Sequence, residues 1–250
     1  MRKFFLIVAL LITTNIFAQE TSVLLKEAYN LELKFNEPDA LAKYKQVLVN
    51  ESSNYKALSR AAELSCSIGA RNTNAKDKRL LYESALAFAN RAFSVDSNNA
   101  NSFYLLSLAS GKMTEVETEN KKKVAFVRDI KVYADKALQM NPNHALANFI
   151  EGKWHYEMVT LNWTKKLAVK ALYGGLPDPS IEKCIEYLER CKKLDPYFAL
   201  NYLTLAKAHK ENNNAVKMLE VLNQLVKLPK RNFDDTAYID EGKKMLADEQ

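Results

Sequence analysis

The 250-residue chain has 36 basic and 30 acidic residues, a formal charge of +6, and 48% hydrophobic residues. This balance excludes a dedicated nucleic-acid binder, which carries a strong basic footprint, and the length is enough to bury a substantial core. The cysteines, Cys66, Cys184 and Cys191, are odd in number and exclude a fully paired disulfide framework.

The chain opens Met-Arg-Lys, then an apolar run from Phe4 to Ile12, then a polar boundary with the small residue Ala18. That is the charge, core and cleavage pattern of an export signal, and the run is too short to span a bilayer. Residues 1–18 are therefore expected to be removed, leaving a single domain, 19–250, in a periplasmic or secreted location. Loss of Arg2 and Lys3 leaves 34 basic and 30 acidic residues, a net charge of +4. No cysteine near the boundary offers a lipid anchor, and no second long apolar stretch follows.

From there the apolar residues recur at three-and-four spacing almost to the end, with no strand pattern. The spacing predicts helices near 20–35, 38–50, 54–69, 75–95, 99–112, 117–140, 144–161, 164–173, 179–194, 197–211, 213–228 and 233–248. Four helix ends look alike: VLVNESSNYKAL, AFSVDSNNANSF, ALQMNPNHALAN and CKKLDPYFALNY. Aligning Val49, Val95, Met140 and Leu194 gives spacings of 46, 45 and 54. Small residues fall where helices would cross closely: Ala89 and Ala92, Ala134 and Ala137, Ala206 and Ala208.

The pattern is that of stacked antiparallel helix pairs of tetratricopeptide type, but its period exceeds the usual ~34 residues. The expected fold is all-α: a right-handed α-solenoid of degenerate repeats. Its extra length is expected in longer helices or at 72–78, 114–123 and 174–180.

The stretch His144–Pro177 holds both tryptophans. Leu146, Ile150, Trp154, Met158 and Leu161 form one helical stripe; Phe149, Tyr156, Val159 and Trp163 form another on roughly the opposite side. A helix apolar on two faces must be buried on both. Lys165 would fall on the first stripe, so a break is expected near 162–164. Thr164 would cap a short inserted helix near 164–173 that buries Leu167, Ala168, Ala171 and Leu172. Gly174-Gly175, Pro177 and Pro179 would end it.

No catalytic or metal motif emerges. His144, His155 and His209 lack the spacing of a metalloprotease helix, no CxxC occurs, and there is no phosphate loop, dinucleotide fingerprint or nucleophile elbow. No cofactor is expected. His155, between Trp154 and Tyr156 and near Glu151, reads as a partly buried structural histidine. Cys184 and Cys191 lie about 10 Å apart along one helix, too far for a disulfide, and read as buried thiols. Asp234-Asp235 reads as charge at a helix start.

A closer likeness rests on GKWHYEM followed by LNWTKKLAVKALYGGLPDPS, and on LDPYFALNYLTLAKAHKEN downstream. These segments resemble the regulator of microtubule dynamics family of tetratricopeptide proteins. The matching residues are Gly152, Trp154, Tyr156, Glu157, Leu161, Trp163, Leu172, Tyr173, Gly174 and Pro177. The likeness covers roughly 54–247, with VAFVRDIKVYADKALQMNP similar to the family's preceding helix. It implies a helical-repeat domain that acts by binding. For one branch it implies membrane tethering and phospholipid carriage. An export signal departs from the cytosolic or organelle-anchored animal members and ranks a microtubule-associated role below the two readings that follow.

Two functions follow. In the first, an exported non-catalytic scaffold takes a protein or peptide partner on a concave helical face through Asn101, Tyr104, Asn148, Asn201, Tyr202 and Lys207. In the second, a cavity around 144–177 carries a phospholipid or other apolar ligand, or the region meets a membrane surface. There Trp154, Trp163 and Tyr173 would form the walls, with Lys165, Lys166 and Lys170 at the mouth. Residue chemistry alone favours a filled core over that cavity. No nucleic-acid partner is expected.

Overall fold

The computed structural model describes residues 20–162, 165–166 and 177–249. All regular structure among them is helical. The helices are α1 (20–33), α2 (Glu37–Asn50), α3 (Tyr55–Arg71), α4 (Ala75–Val95), α5 (Ala100–Val116) and α6 (Asn120–Met140). They continue with α7 (Ala145–Thr160), α8 (Ile181–Leu194), α9 (Ala199–Glu211), α10 (Ala215–Leu225) and α11 (Asp235–Ala247). Each starts and stops within a few residues of the periodicity-based expectation. The fold is that of an α-solenoid built from helix pairs. The expected short helix at 164–173 lies outside the described residues, apart from helical Lys165 and Lys166.

The repeat is visible in backbone angles. Glu51, Asp96, Asn141 and Asp195, each just past a helix end, have φ between −133° and −144° and ψ between 86° and 92°. Each N–H donates to the carbonyl four residues earlier, on Val47, Ala92, Ala137 and Cys191, all fully buried. This geometry spaces the turns by 45, 45 and 54 residues. The structural counterpart of Val95 is thus Asn50, one residue beyond the Val49 of the sequence alignment. Val49 is 84% exposed, and the residues it was aligned with, Val95, Met140 and Leu194, are exposed as well.

The extra length lies in the helices. From α3 to α6 the chain repeats a 17-residue helix, a three-residue connection, a 21-residue helix and a four-residue turn. The connections at 72–74 and 117–119 are short, so no insertion sits at 72–78 or 114–123. Asparagine caps four of the helices: Asn54, Asn74, Asn99 and Asn214 each accept a hydrogen bond from an N–H of the following turn. Asn162 does the same, accepting from Lys165 N at 3.0 Å. The restart after α7 is therefore capped by Asn162; Thr164 lies outside the described residues.

The chain divides into two compact units, 1–97 and 98–250. In the first, α2 packs on α3 and α3 on α4. Glu32 of α1 receives the Tyr44 hydroxyl from α2 at 2.6 Å and the Arg60 guanidinium from α3. In the second unit each helix from α5 to α10 packs on its successor, and α11 packs on α9 and α10. The alanines singled out for close crossings, Ala89, Ala92, Ala134, Ala137, Ala206 and Ala208, are all fully buried. Gly152 lets α7 approach α8: a Cβ there would stand 2.7 Å from Leu188 Cγ and Cδ2. Cys66, Cys184 and Cys191 are buried, and burial pushes the thiols of Cys184 and Cys191 up to about 12.

Candidate partner-binding face and buried polar centre

The six residues expected on a binding surface separate into two groups. Tyr104, Asn148, Asn201 and Tyr202 are buried. Asn148 Nδ2 donates to Pro142 O and His144 O, both at 3.0 Å. The Tyr202 hydroxyl donates to Pro196 O at 2.9 Å. These two side chains do one job in successive repeats: each ties the helix back to its own proline turn. Asn201 Nδ2 donates to Leu188 O at 3.0 Å, tying α9 to α8. Tyr104 packs against the His144 ring, with centroids 5.2 Å apart. None of the four presents its side chain at a surface. A polar residue on a helix can satisfy an interior turn as readily as a partner, and spacing alone does not separate the two.

Asn101 and Lys207 are half-exposed. Lys207 pairs with Glu241 of α11 at 2.7 Å. Around it α7, α9 and α11 gather a polar face. Tyr156 is half-buried there; burial, and then the carboxylates of Glu211, Glu157 and Glu241, push its phenol above the usual range. Lys153 pairs with Glu157 at 2.6 Å. Glu211 is exposed and has no ion pair among the described residues. Sequence reasoning placed Tyr156 in an apolar stripe and passed over Glu211 and Glu241. Tyr156 lies 55 residues before Glu211, so only the packing of α7 beside α9 discloses their proximity.

Of the residues expected around a lipid cavity, Trp163, Lys170 and Tyr173 lie outside the described residues. Lys165 and Lys166 are exposed, and Lys166 Nζ donates to Val159 O at 2.9 Å. Trp154 is buried and its indole N–H donates to Val127 O at 3.2 Å. It is part of the packing between α6 and α7.

Beside Trp154 lies a buried polar centre. Glu151 is fully buried, with Oε1 2.6 Å from Lys131 Nζ of α6. Its Oε2 has no hydrogen-bond partner among the described residues. Lys131 also bonds both oxygens of Asp135 at 2.7 Å and lies 5.8 Å from the Trp154 ring centroid. Burial pushes the Glu151 carboxyl up to about 7, against the pull of Lys131. His155 is 2% exposed. Its Nδ1 accepts from Ser180 N at 3.2 Å, which leaves the neutral ring's proton on Nε2, 3.8 Å from Glu151 Oε1. Burial, then the positive charges of Lys131 and Lys183, push this imidazole down to about 4. The structural role expected of His155 is the one it has. The only trace of the centre in sequence is the Glu151/His155 pair at i, i+4 on α7.

A model of the family "Regulator of microtubule dynamics protein 1-3" matches residues 24–250. The chain belongs to that family. Regulator of microtubule dynamics protein 1 of Pongo abelii is 28% identical over 146 residues, which cover 57% of this chain and 45% of that protein. Its Homo sapiens counterpart is 27% identical over 143 residues with the same coverage. The chain thus spans less than half the length of these curated relatives. Among solved structures, TTC0263, a thermophilic tetratricopeptide protein of Thermus thermophilus, superposes with a TM-score of 0.64. That superposition covers 90% of this chain and 99% of the other at 14% identity, a likeness of fold alone.

Proposed function

We propose that this family member is a non-catalytic helical scaffold that holds a protein or peptide partner on the α7–α9–α11 face of its second unit. The observation that carries the reading is the solvent-accessible set Tyr156, Lys207, Glu211 and Glu241 converging from three helices. An aromatic body beside charged groups is the chemistry of peptide recognition on helical repeats. The unpaired Glu211 fits a basic side chain of the partner. Asn101, half-exposed on α5 of the same unit, remains a further candidate contact.

Export, to a periplasmic or secreted location, is part of the same proposal and rests on the pattern of residues 1–18. Phospholipid binding is the alternative; its support is the family resemblance and the exposed pair Lys165 and Lys166.

The test is affinity capture from the native compartment with the chain 19–250 as bait, in wild-type form and as the E211K/K207E variant. Specific loss of the captured protein from the variant, with helicity unchanged by circular dichroism, supports the face. An identical captured set refutes it. Native mass spectrometry of the same wild-type sample covers the alternative. One phospholipid mass per chain would replace the peptide reading; a clean apo mass would remove the lipid one.

A further inference from the structure

His155 stands at the only hydrogen bond between a histidine ring and a distant main-chain N–H among the described residues. Ser180, which donates that bond, is also the N-cap of α8: its hydroxyl accepts from Lys183 N at 3.1 Å. The ring is clasped by stacking on Tyr187 of α8, with centroids 6.0 Å apart and planes within 11°. The edge of Trp154 closes the other side, with centroids 5.2 Å apart. The same imidazole therefore touches both the start and the first turns of α8.

We propose that neutral His155 is a proton-sensitive clamp that holds the N-terminus of α8 on α7. The clamp depends on a lone pair at Nδ1. A protonated imidazole carries N–H on both nitrogens and cannot accept from Ser180. Protonation turns an attractive contact into two opposed donors, with the half-buried Ser180 N–H deprived of its partner.

Every charged group facing the ring bears on that event. From α6 come Lys131 and Asp135, from α7 Glu151, and from α8 Lys183 and Tyr187. Lys131 and Lys183 oppose a further positive charge; Asp135 favours it. Glu151 is largely neutral at the pH where the imidazole gains its proton, because its own carboxyl titrates higher. The incoming charge therefore has no ionised buried partner, and the first turn of α8 must yield. Further along, α8 stays anchored by Leu188 against Gly152 and by Leu188 O to Asn201. The opening is confined to the helix start.

Hydrogen-exchange mass spectrometry on the chain 19–250, from pH 7 to pH 3.5 and normalised to intrinsic rates, reads the clamp directly. In wild type, a peptide covering 177–184 should lose protection by about tenfold or more as pH falls from about 6.5 to about 4, the window between the ordinary and the folded-state histidine values. A peptide covering 199–211 should keep its protection. The H155N variant, whose carboxamide oxygen can take the place of Nδ1, should hold protection across the whole range. H155L should show the low value at every pH. E151Q should retain the transition. Three results overturn the proposal: a wild-type 177–184 peptide with pH-independent protection, a transition that persists in H155N, or simultaneous loss in 199–211, which marks general unfolding.

Discussion

Replacing Gly152 by alanine probes how closely α7 and α8 are fitted. In an isolated helix the change is favourable by about 1 kcal/mol, because alanine loses less backbone entropy than glycine. Here the new methyl would meet Leu188 Cγ and Cδ2 at 2.7 Å and Cys184 O, a backbone atom, at 3.1 Å. Leu188 is fully buried, and contact at its Cγ means that the body of the side chain must shift. Overpacking of this kind costs about 1–3 kcal/mol and here reaches the helix backbone as well. The net expectation is a destabilisation of about 1–2 kcal/mol, read in urea unfolding as a lower midpoint with an unchanged slope. Leu188→Ala alone should cost about 2–5 kcal/mol by leaving a cavity. In the G152A/L188A double variant the methyl enters that cavity, so the two losses should sum to less than additive by at least about 0.5 kcal/mol. A G152A protein as stable as wild type, or strict additivity, would refute the reasoning.

Glu151→Gln should change the pH dependence of stability in a defined direction. The folded-state carboxyl, pushed up to about 7, stabilises most below its ordinary value and loses that contribution as pH rises through 7. His155, pushed down to about 4, contributes above its ordinary value near 6.5 and loses it as pH falls through 4. The two slopes oppose each other between about 4.5 and 6.5. In E151Q the histidine slope is unopposed, with half-buried His144 and buried His209 acting in the same direction, so urea midpoints should rise from about pH 4 to 6.5 and then stay level to about pH 8. A continuing decline above about pH 6.5 in E151Q would contradict this assignment. Asn201→Ala removes the α9–α8 tie at Leu188 O and should cost about 1–2 kcal/mol in urea unfolding; a neutral result would mean the buried carboxamide contributes nothing net. Arg60→Ala strips Glu32 of its guanidinium and should cost about 1–2 kcal/mol. Lysine at 60 should restore less than half of that, since it lacks the forked geometry; full rescue would show that charge alone matters.

The sequence by itself determined the local architecture. Helix ends are written in short-range chemistry: an asparagine or serine side chain capping the next turn, and proline or asparagine after an apolar end. Asn54, Asn74, Asn99 and Ser180 act within three residues of their partners, so no knowledge of the rest of the chain is needed to place them. The recurrence of those ends exposed the repeat, and the paired alanines marked where helices cross closely. The family likeness was legible for the same reason, since it rests on contiguous segments such as GKWHYEM and LDPYFALNY.

Tertiary structure decided which polar side chains face inward. Asn148, Asn201 and Tyr202 have the composition of a binding surface, yet each satisfies a carbonyl of a turn or neighbouring helix. The register of the first repeat, at Asn50 rather than Val49, is set by the turn geometry and the buried Val47, Ala92, Ala137 and Cys191 four residues before each turn. Lys131 and Glu151 meet across 20 residues of chain, and Tyr156 meets Glu211 across 55. Periodicity assigns a residue to a face of its own helix. What that face meets is set by the crossing of a second helix, and burial, charge and hydrogen bonding follow from that meeting.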